Sequence, residues 1–413
     1  MIEFDKFTLD NGLKVIVHRD TSTPLAAINI LYNIGAKDEN PDQTGFAHLF
    51  EHLMFGGSLN IPNYDEPLQQ VGGDNNAWTS NDVTNYYLTV PKENLETGFW
   101  LESDRMLSLA FTEKSLDVQK AVVIEEFKQH YFNQPYGDVW LHLRPLAYKK
   151  HPYQWSTIGK CIEHIADAKL QDVKDFFFHH YAPNNAVLVV SGHVETEEVK
   201  RLAEKWFGPI ERRELTPRNL PVEPKQTEFR SLHLEREVPY DAIYMAFHMC
   251  SRNHEDFYKV DLLSDILSNG QSSRIFQTLI KEKNLFSSID AYLTGDFEPG
   301  LFVISGKLTE GVNMQDAENA IWDVLNEVSA TKANEYELQK VKNKIESSLV
   351  FSEISFLNKA MNIAQHEITG QAEDINLEVE KYNKVSTSDL QEMAQKILIK
   401  ENCSTLYYHA KKQ

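Results

Sequence analysis

Residues 211–228, ERRELTPRNLPVEPKQTE, divide this chain of 413 residues into two stretches that repeat one order of elements. The segment holds three prolines and many charges, and no apolar period runs through it. It reads as a linker, without helix or strand. Before it, Lys6–Leu9, Leu13–His18 and Ala26–Tyr32 alternate or run apolar, with Asp10, Asn11 and Gly12 as a hairpin turn. A helix is expected near 45–55, a strand at Thr84–Val90, long helical patterns at 92–132 and 136–148, and a helix at 168–181. The strand Ala186–Ser191 and a helix at 195–207 close the first stretch. The second opens with the strand Ala242–His248 and helical patterns at His254–Ser268 and 272–283. The strand Gly300–Gly306, helices near 314–330, 334–351, 356–369 and 387–398, and a last strand, Ser404–His409, follow. Strands followed by helices, twice over, predict an α/β fold of two similar domains of roughly 200 residues each. The expected boundaries are 1–212, a linker at 213–228, and 229–413.

The chemistry gathers on the segment 43–57, QTGFAHLFEHLMFGG. Apolar residues at 46, 49, 50, 53 and 54 follow helical spacing. Thr44 is expected to cap the start, and Gly56 or Gly57 to end the helix. His48 and His52 stand one turn apart, so their imidazoles project the same way and can share one metal ion. Glu51 lies beside that face, placed to take a proton from an attacking water without ligating the ion. A third ligand is sought in AVVIEEF (121–127), on a helix starting near Thr112 or Ser115. Two adjacent carboxylates in an apolar stretch are costly to bury without a cation. Local periodicity does not choose between Glu125 and Glu126.

Composition excludes other classes. The formal net charge is −20, spread along the chain, which repels phosphate backbones and argues against nucleic acid as a partner. Cys161, Cys250 and Cys403 are far apart and odd in number, so no disulfide framework and no cysteine ligand is expected. The N-terminus, MIEFDKFTLDNGLKVIVHRD, carries charges where a secretory segment needs an apolar run, and no stretch has the length of a membrane span. A bacterial-type cytoplasmic protein is the expectation.

The pattern of His48, Glu51 and His52 with a distant glutamate resembles the pitrilysin family of zinc peptidases, which carry the inverted HxxEH motif. The segments LDNGLKVIV (9–17), GFAHLFEHLMFGGS (45–58), GGDNNAWTSNDVTNYY (72–87), VVIEEF (122–127), HPYQWSTIG (151–159), YAPNNAVLVVSG (181–192) and SSRIF (272–276) resemble the branch that holds mitochondrial processing peptidase and its bacterial relatives. The resemblance implies two homologous domains, each a mixed, mostly antiparallel sheet with helices packed on it, facing like a clamshell around an enclosed chamber. It implies one zinc per chain in the first domain, none in the second, and cleavage of peptides or unfolded polypeptide segments. It selects Glu126 as third ligand and leaves Glu125 beside the site or structural. It makes the stretch Asn76, Ala77 and Trp78 the edge strand on which a substrate main chain would add.

Two positions depart from the family pattern. A glutamate expected seven residues before the third ligand is Gln119 here, a neutral amide beside the site. The arginine and tyrosine that active single-chain members aim at the substrate correspond to Lys281 and Ser287. Lysine lacks the arginine fork, so Lys281 is a weaker substrate contact. The resemblance therefore also implies a homo- or heterodimer in which a related subunit supplies these groups. The alternatives are a zinc-bearing chain active only with that partner, and a non-catalytic subunit like the core proteins of respiratory complexes.

Overall fold

The computed structural model describes residues 1–215 and 217–411. Contacts gather the chain into two compact units. The first comprises Met1–Gln129, Trp155–Pro221 and Val350–Leu377, and the second His130–Gln154, Val222–Leu349 and Glu378–Gln413. This grouping differs from the expected consecutive division at 1–212 and 229–413 in two segments, and each has a packing reason. Residues 139–147 form a helix whose Val139, Leu143 and Ala147 bury against Tyr244, Val303 and Leu406 of the second unit's sheet. Helix Phe356–Thr369, from late in the chain, packs instead on two central strands of the first unit's sheet.

The first unit is built on β1 (Asp5–Thr8), β2 (Lys14–Arg19), β3 (Leu25–Tyr32), β4 (Asp74–Thr79), β5 (Thr84–Pro91) and β6 (Ala186–Gly192). They lie in the order β1-β2-β6-β3-β5-β4. The β2–β6 pair is parallel and the other pairs are antiparallel. Every residue of β6 is buried, as a strand covered on both faces requires. The single long pattern expected over 92–132 resolves into helices Leu95–Leu107 and Glu113–Phe127. The Thr112 hydroxyl accepts the Ser115 N–H and so starts the second of them.

The second unit carries β7 (Arg230–Arg236), β8 (Ala242–His248), β9 (Phe286–Leu293), β10 (Leu301–Leu308) and β11 (Cys403–Ala410) in the order β7-β11-β8-β10-β9. Its β7–β11 pair is parallel and the rest are antiparallel. One face packs on Leu263, Ile321 and Leu390. Strands β7 and β9 escaped the sequence reading. Both lie at sheet edges, where polar residues interrupt the apolar signal. Cys161, Cys250 and Cys403 are free thiols. Among the described residues no helix is long and apolar enough to cross a membrane.

Candidate metal centre

Helix α1 (Phe46–Leu53) carries the two histidines and Glu51. Its apolar face is bound by aromatic packing. The Phe50 ring lies 5.0 Å from Phe176 and 5.1 Å from Tyr181, and Phe46 lies 6.0 Å from Phe176. Phe46, Leu49, Phe50 and Leu53 are buried, each contributing about 1.5–3 kcal/mol of hydrophobic stabilisation. With that face fixed inward, His48 and His52 are directed to the opposite side. Their rings sit edge to face, 4.8 Å apart.

Helix α2 (Glu113–Phe127) crosses this side and delivers Glu126. Its Oε2 lies 3.6 Å from His48 Nε2 and 3.4 Å from His52 Nε2. One ligand atom from each of the three residues falls within 4.8 Å of the others. Ligands at zinc–nitrogen and zinc–oxygen distances of about 2.0–2.2 Å in a tetrahedron stand roughly 3.3–3.6 Å apart, so the three donors fit that ion and leave a fourth position open. Glu125, one residue earlier, points away: its side chain is 68% exposed and lies 3.8 Å from Lys128 Nζ. The expectation that Glu125 stands beside the site is therefore replaced by a solvent-facing ion pair. Gln119 is half-buried on α2, two turns before Glu126.

Glu51 is half-buried on α1, and its Oε2 accepts the Thr79 hydroxyl at 2.5 Å. Burial pushes its carboxyl above the usual range, opposed by the Thr79 hydrogen bond and by His52, while Glu126 adds to the rise. Thr79 ends β4, the last strand of the sheet, so among the described residues the outer edge of β4 pairs with no strand. Asn76, Ala77 and Trp78 lie on this edge strand, opposite Tyr87, Tyr86 and Asn85 of β5.

The start of α1 corrects one expectation. Thr44 does not cap it: its hydroxyl contacts His164 Nδ1 and accepts the Lys160 N–H. The N-cap is Gly45, in the left-handed region at φ 90°. The carboxylate of buried Glu39 accepts the N–H groups of Gly45 at 2.9 Å and Ala47 at 2.8 Å, and the Trp155 indole N–H at 3.1 Å. Burial pushes this carboxyl up to about 8, against the pull of those donors. Thr79 and Glu39 were both missed by sequence reasoning. Thr79 lies one residue past Trp78, the last of the three edge positions that the resemblance marks, and a cap from six positions upstream has no spacing rule.

Lys281 and Ser287 belong to the second unit. Lys281 is exposed in the helical turn Phe276–Glu282. Ser287 is exposed on β9, and its hydroxyl donates to Lys307 O at 3.2 Å.

Comparison with known proteins agrees with this architecture. Residues 14–160 match the family described as insulinase (peptidase family M16), and residues 167–345 match the peptidase M16 inactive domain. The zinc protease PqqE of Helicobacter pylori is 28% identical over 346 residues, covering 82% of this chain and 77% of that one. The mitochondrial-processing peptidase subunit beta of Saccharomyces cerevisiae is 24% identical over 365 residues, 83% of this chain and 77% of that one. The crystal structure of a protease from Helicobacter pylori superposes with a TM-score of 0.92 at 25% identity, covering 99% of this chain and all of the other. The chain belongs to peptidase family M16, and its relatives carry the names of zinc proteases.

Proposed function

We propose that this protein is a zinc-dependent endopeptidase that hydrolyses peptides or unfolded polypeptide segments. His48, His52 and Glu126 hold one zinc per chain, and Glu51 is the general base. The observation that carries the reading is the convergence of two imidazole nitrogens and one carboxylate oxygen within 4.8 Å, with Glu51 on the same helix as the two histidines. The ion, when bound, supplies Lewis acidity at the scissile carbonyl. Glu51 accepts the proton of the attacking water and returns it to the leaving amine. Thr79 holds one oxygen of Glu51, leaving the other for that transfer. The open edge of β4, at Asn76, Ala77 and Trp78, offers main-chain hydrogen bonds to an extended substrate, so recognition is by backbone more than by side chain.

The test is a peptide-library digest beside a zinc determination. Wild type and Glu51→Gln are each expected to carry one zinc per chain, and only wild type to cleave. Equal cleavage by both removes Glu51 from its role. Absence of zinc from wild type after loading leaves the non-catalytic subunit as the reading.

A second reading is favoured by Lys281 and Ser287, which stand where the family resemblance expects arginine and tyrosine. A related subunit then supplies those groups, and Lys281 gives only a weak substrate contact. In that case the chain binds zinc alone but cleaves only after a related chain is added.

A further inference from the structure

The helix that bears both histidines has no cap of its own. Its first N–H groups have no partner within the helix, and its N-cap residue, Gly45, has no side chain to offer. Thr44 is engaged with His164 and Lys160. The Glu39 carboxylate fills the gap: one oxygen takes the Ala47 N–H, and the other takes Gly45 and the Trp155 indole. Ala47 immediately precedes His48, so this contact fixes the backbone one residue before the first ligand.

Glu39 is itself held from a second direction. Its loop is laced to the turn that follows β4. Ala36 N–H donates to Ser80 O at 3.1 Å, and Lys37 N–H to Asn81 O at 2.9 Å. Lys37 Nζ pairs with Asp82 at 2.8 Å, with both side chains almost fully buried. Trp155 Nε1 also donates to Ala36 O at 3.0 Å. The carboxylate is thus fully enclosed and touches none of the ligand side chains through its hydrogen bonds, yet it ties the start of α1 to the loop that ends the substrate edge.

We infer that Glu39 is a positioning residue for the metal centre: through Gly45 and Ala47 it sets the origin and tilt of α1, so that His48 and His52 meet Glu126. Groups that orient ligands from behind carry about 10- to 100-fold in metal affinity when removed. An amide in place of the carboxylate turns an NH₂ group toward donors and loses part of the set, whereas Trp155→Phe removes a single donor and leaves both helix contacts intact.

This inference rests on the proposed zinc site, and the experiment separates the two. Zinc dissociation constants are measured by chelator competition for wild type, Glu39→Gln, Trp155→Phe and Val190→Ala. Val190 is buried in β6, where it pairs with Val17 and Ile28, and serves as a stability control. The measurement is made at a temperature where urea titration finds every variant folded, because a folded protein that is merely less stable keeps its zinc affinity. The expected result is a rise of about 10- to 100-fold for Glu39→Gln, with Val190→Ala unchanged and Trp155→Phe changed less than Glu39→Gln. Glu39→Gln binding zinc as tightly as Val190→Ala does overturns the inference, and so does Trp155→Phe weakening zinc as much as Glu39→Gln. If wild type itself binds no zinc, the proposed function fails instead. If Glu39→Gln does not fold, Glu39→Asp, which keeps the carboxyl group but shortens its reach, is read against the same control.

Discussion

The Thr79 hydroxyl donates to Glu51 Oε2 at 2.5 Å, so the last residue of the edge strand and the acid of the histidine helix are joined by one hydrogen bond. A carboxylate that must accept a proton from one direction gains from having its second oxygen occupied, because the rotamer is then fixed. Thr79→Val keeps the shape and removes the donor. A hydrogen bond to a charged group is worth about 1.5–3 kcal/mol, so kcat for peptide cleavage is expected to fall about 10- to 100-fold. Zinc content is expected to stay at the wild-type level, and Thr79→Ser to recover most of the rate. A Thr79→Val enzyme with unaltered kcat would remove the orienting role.

His180 makes stability depend on pH in a defined window. Burial, with the positive charges of His179 and Arg218 nearby, holds its imidazole down to about 4, against an ordinary value of 6.5. The unfolded chain therefore takes up the proton first. The contribution of the neutral ring is intact above pH 6.5 and is lost as pH falls toward 4. A shift of this size corresponds to roughly 3 kcal/mol across the window. Urea titrations from pH 8 to pH 4 are expected to show His180→Asn losing less stability than wild type on the acid side. Parallel curves for the two proteins would contradict the half-buried neutral ring.

The candidate site was easier to read in the sequence than the packing that supports it. His48, Glu51 and His52 were legible because one helix turn fixes their relation, and no tertiary information is needed for that. Glu126 against Glu125 was not decided by periodicity, since both lie on the same apolar stretch. The family resemblance selects Glu126, and the physical difference between the two lies in the packing: where α2 crosses α1, one carboxylate turns to the histidines and the other to Lys128. The central strands were legible as apolar runs, whereas β7, with half its residues facing water, was not. The helix Phe356–Thr369 was found, but nothing in its spacing says that it packs on the sheet begun by the first residues of the chain. Long-range partners of this kind leave no local signal.

Arg105 supports the end of α1 from inside the first unit. Its guanidinium is buried between the rings of Phe55, Tyr64 and Tyr86, at 5.3, 4.6 and 4.5 Å, and is paired with buried Glu102 at 2.6 Å. Phe55 follows α1 by two residues. Removing one partner strands the other charge in an apolar setting, which costs about 3–5 kcal/mol. Arg105→Met is expected to lose that much in chemical denaturation. Adding Glu102→Gln to the same chain is expected to return part of the loss, because the stranded carboxylate is gone. A double variant less stable than the sum of its single changes would argue against the pair as the cause.

Gly45 makes a steric demand at the start of α1. It stands at φ +90°, and a Cβ built there would meet the Ile158 carbonyl oxygen and Ile165 Cδ1, each at 2.7 Å. Gly270 has nearly the same backbone, at φ +91°, but open space around it. An alanine at 270 therefore meets only the left-handed penalty, about 1–2 kcal/mol. An alanine at 45 meets the same penalty and a backbone clash, so the start of α1 is expected to move unless the Ile158 segment gives way. Gly45→Ala is expected to cost more stability than Gly270→Ala in urea titration, by at least about 1 kcal/mol. Because the movement displaces the N–H that Glu39 accepts, Gly45→Ala is also expected to weaken zinc binding, and Gly270→Ala to leave it unchanged. Equal losses at the two glycines would mean that Ile158 yields to the added methyl and that the helix start tolerates movement.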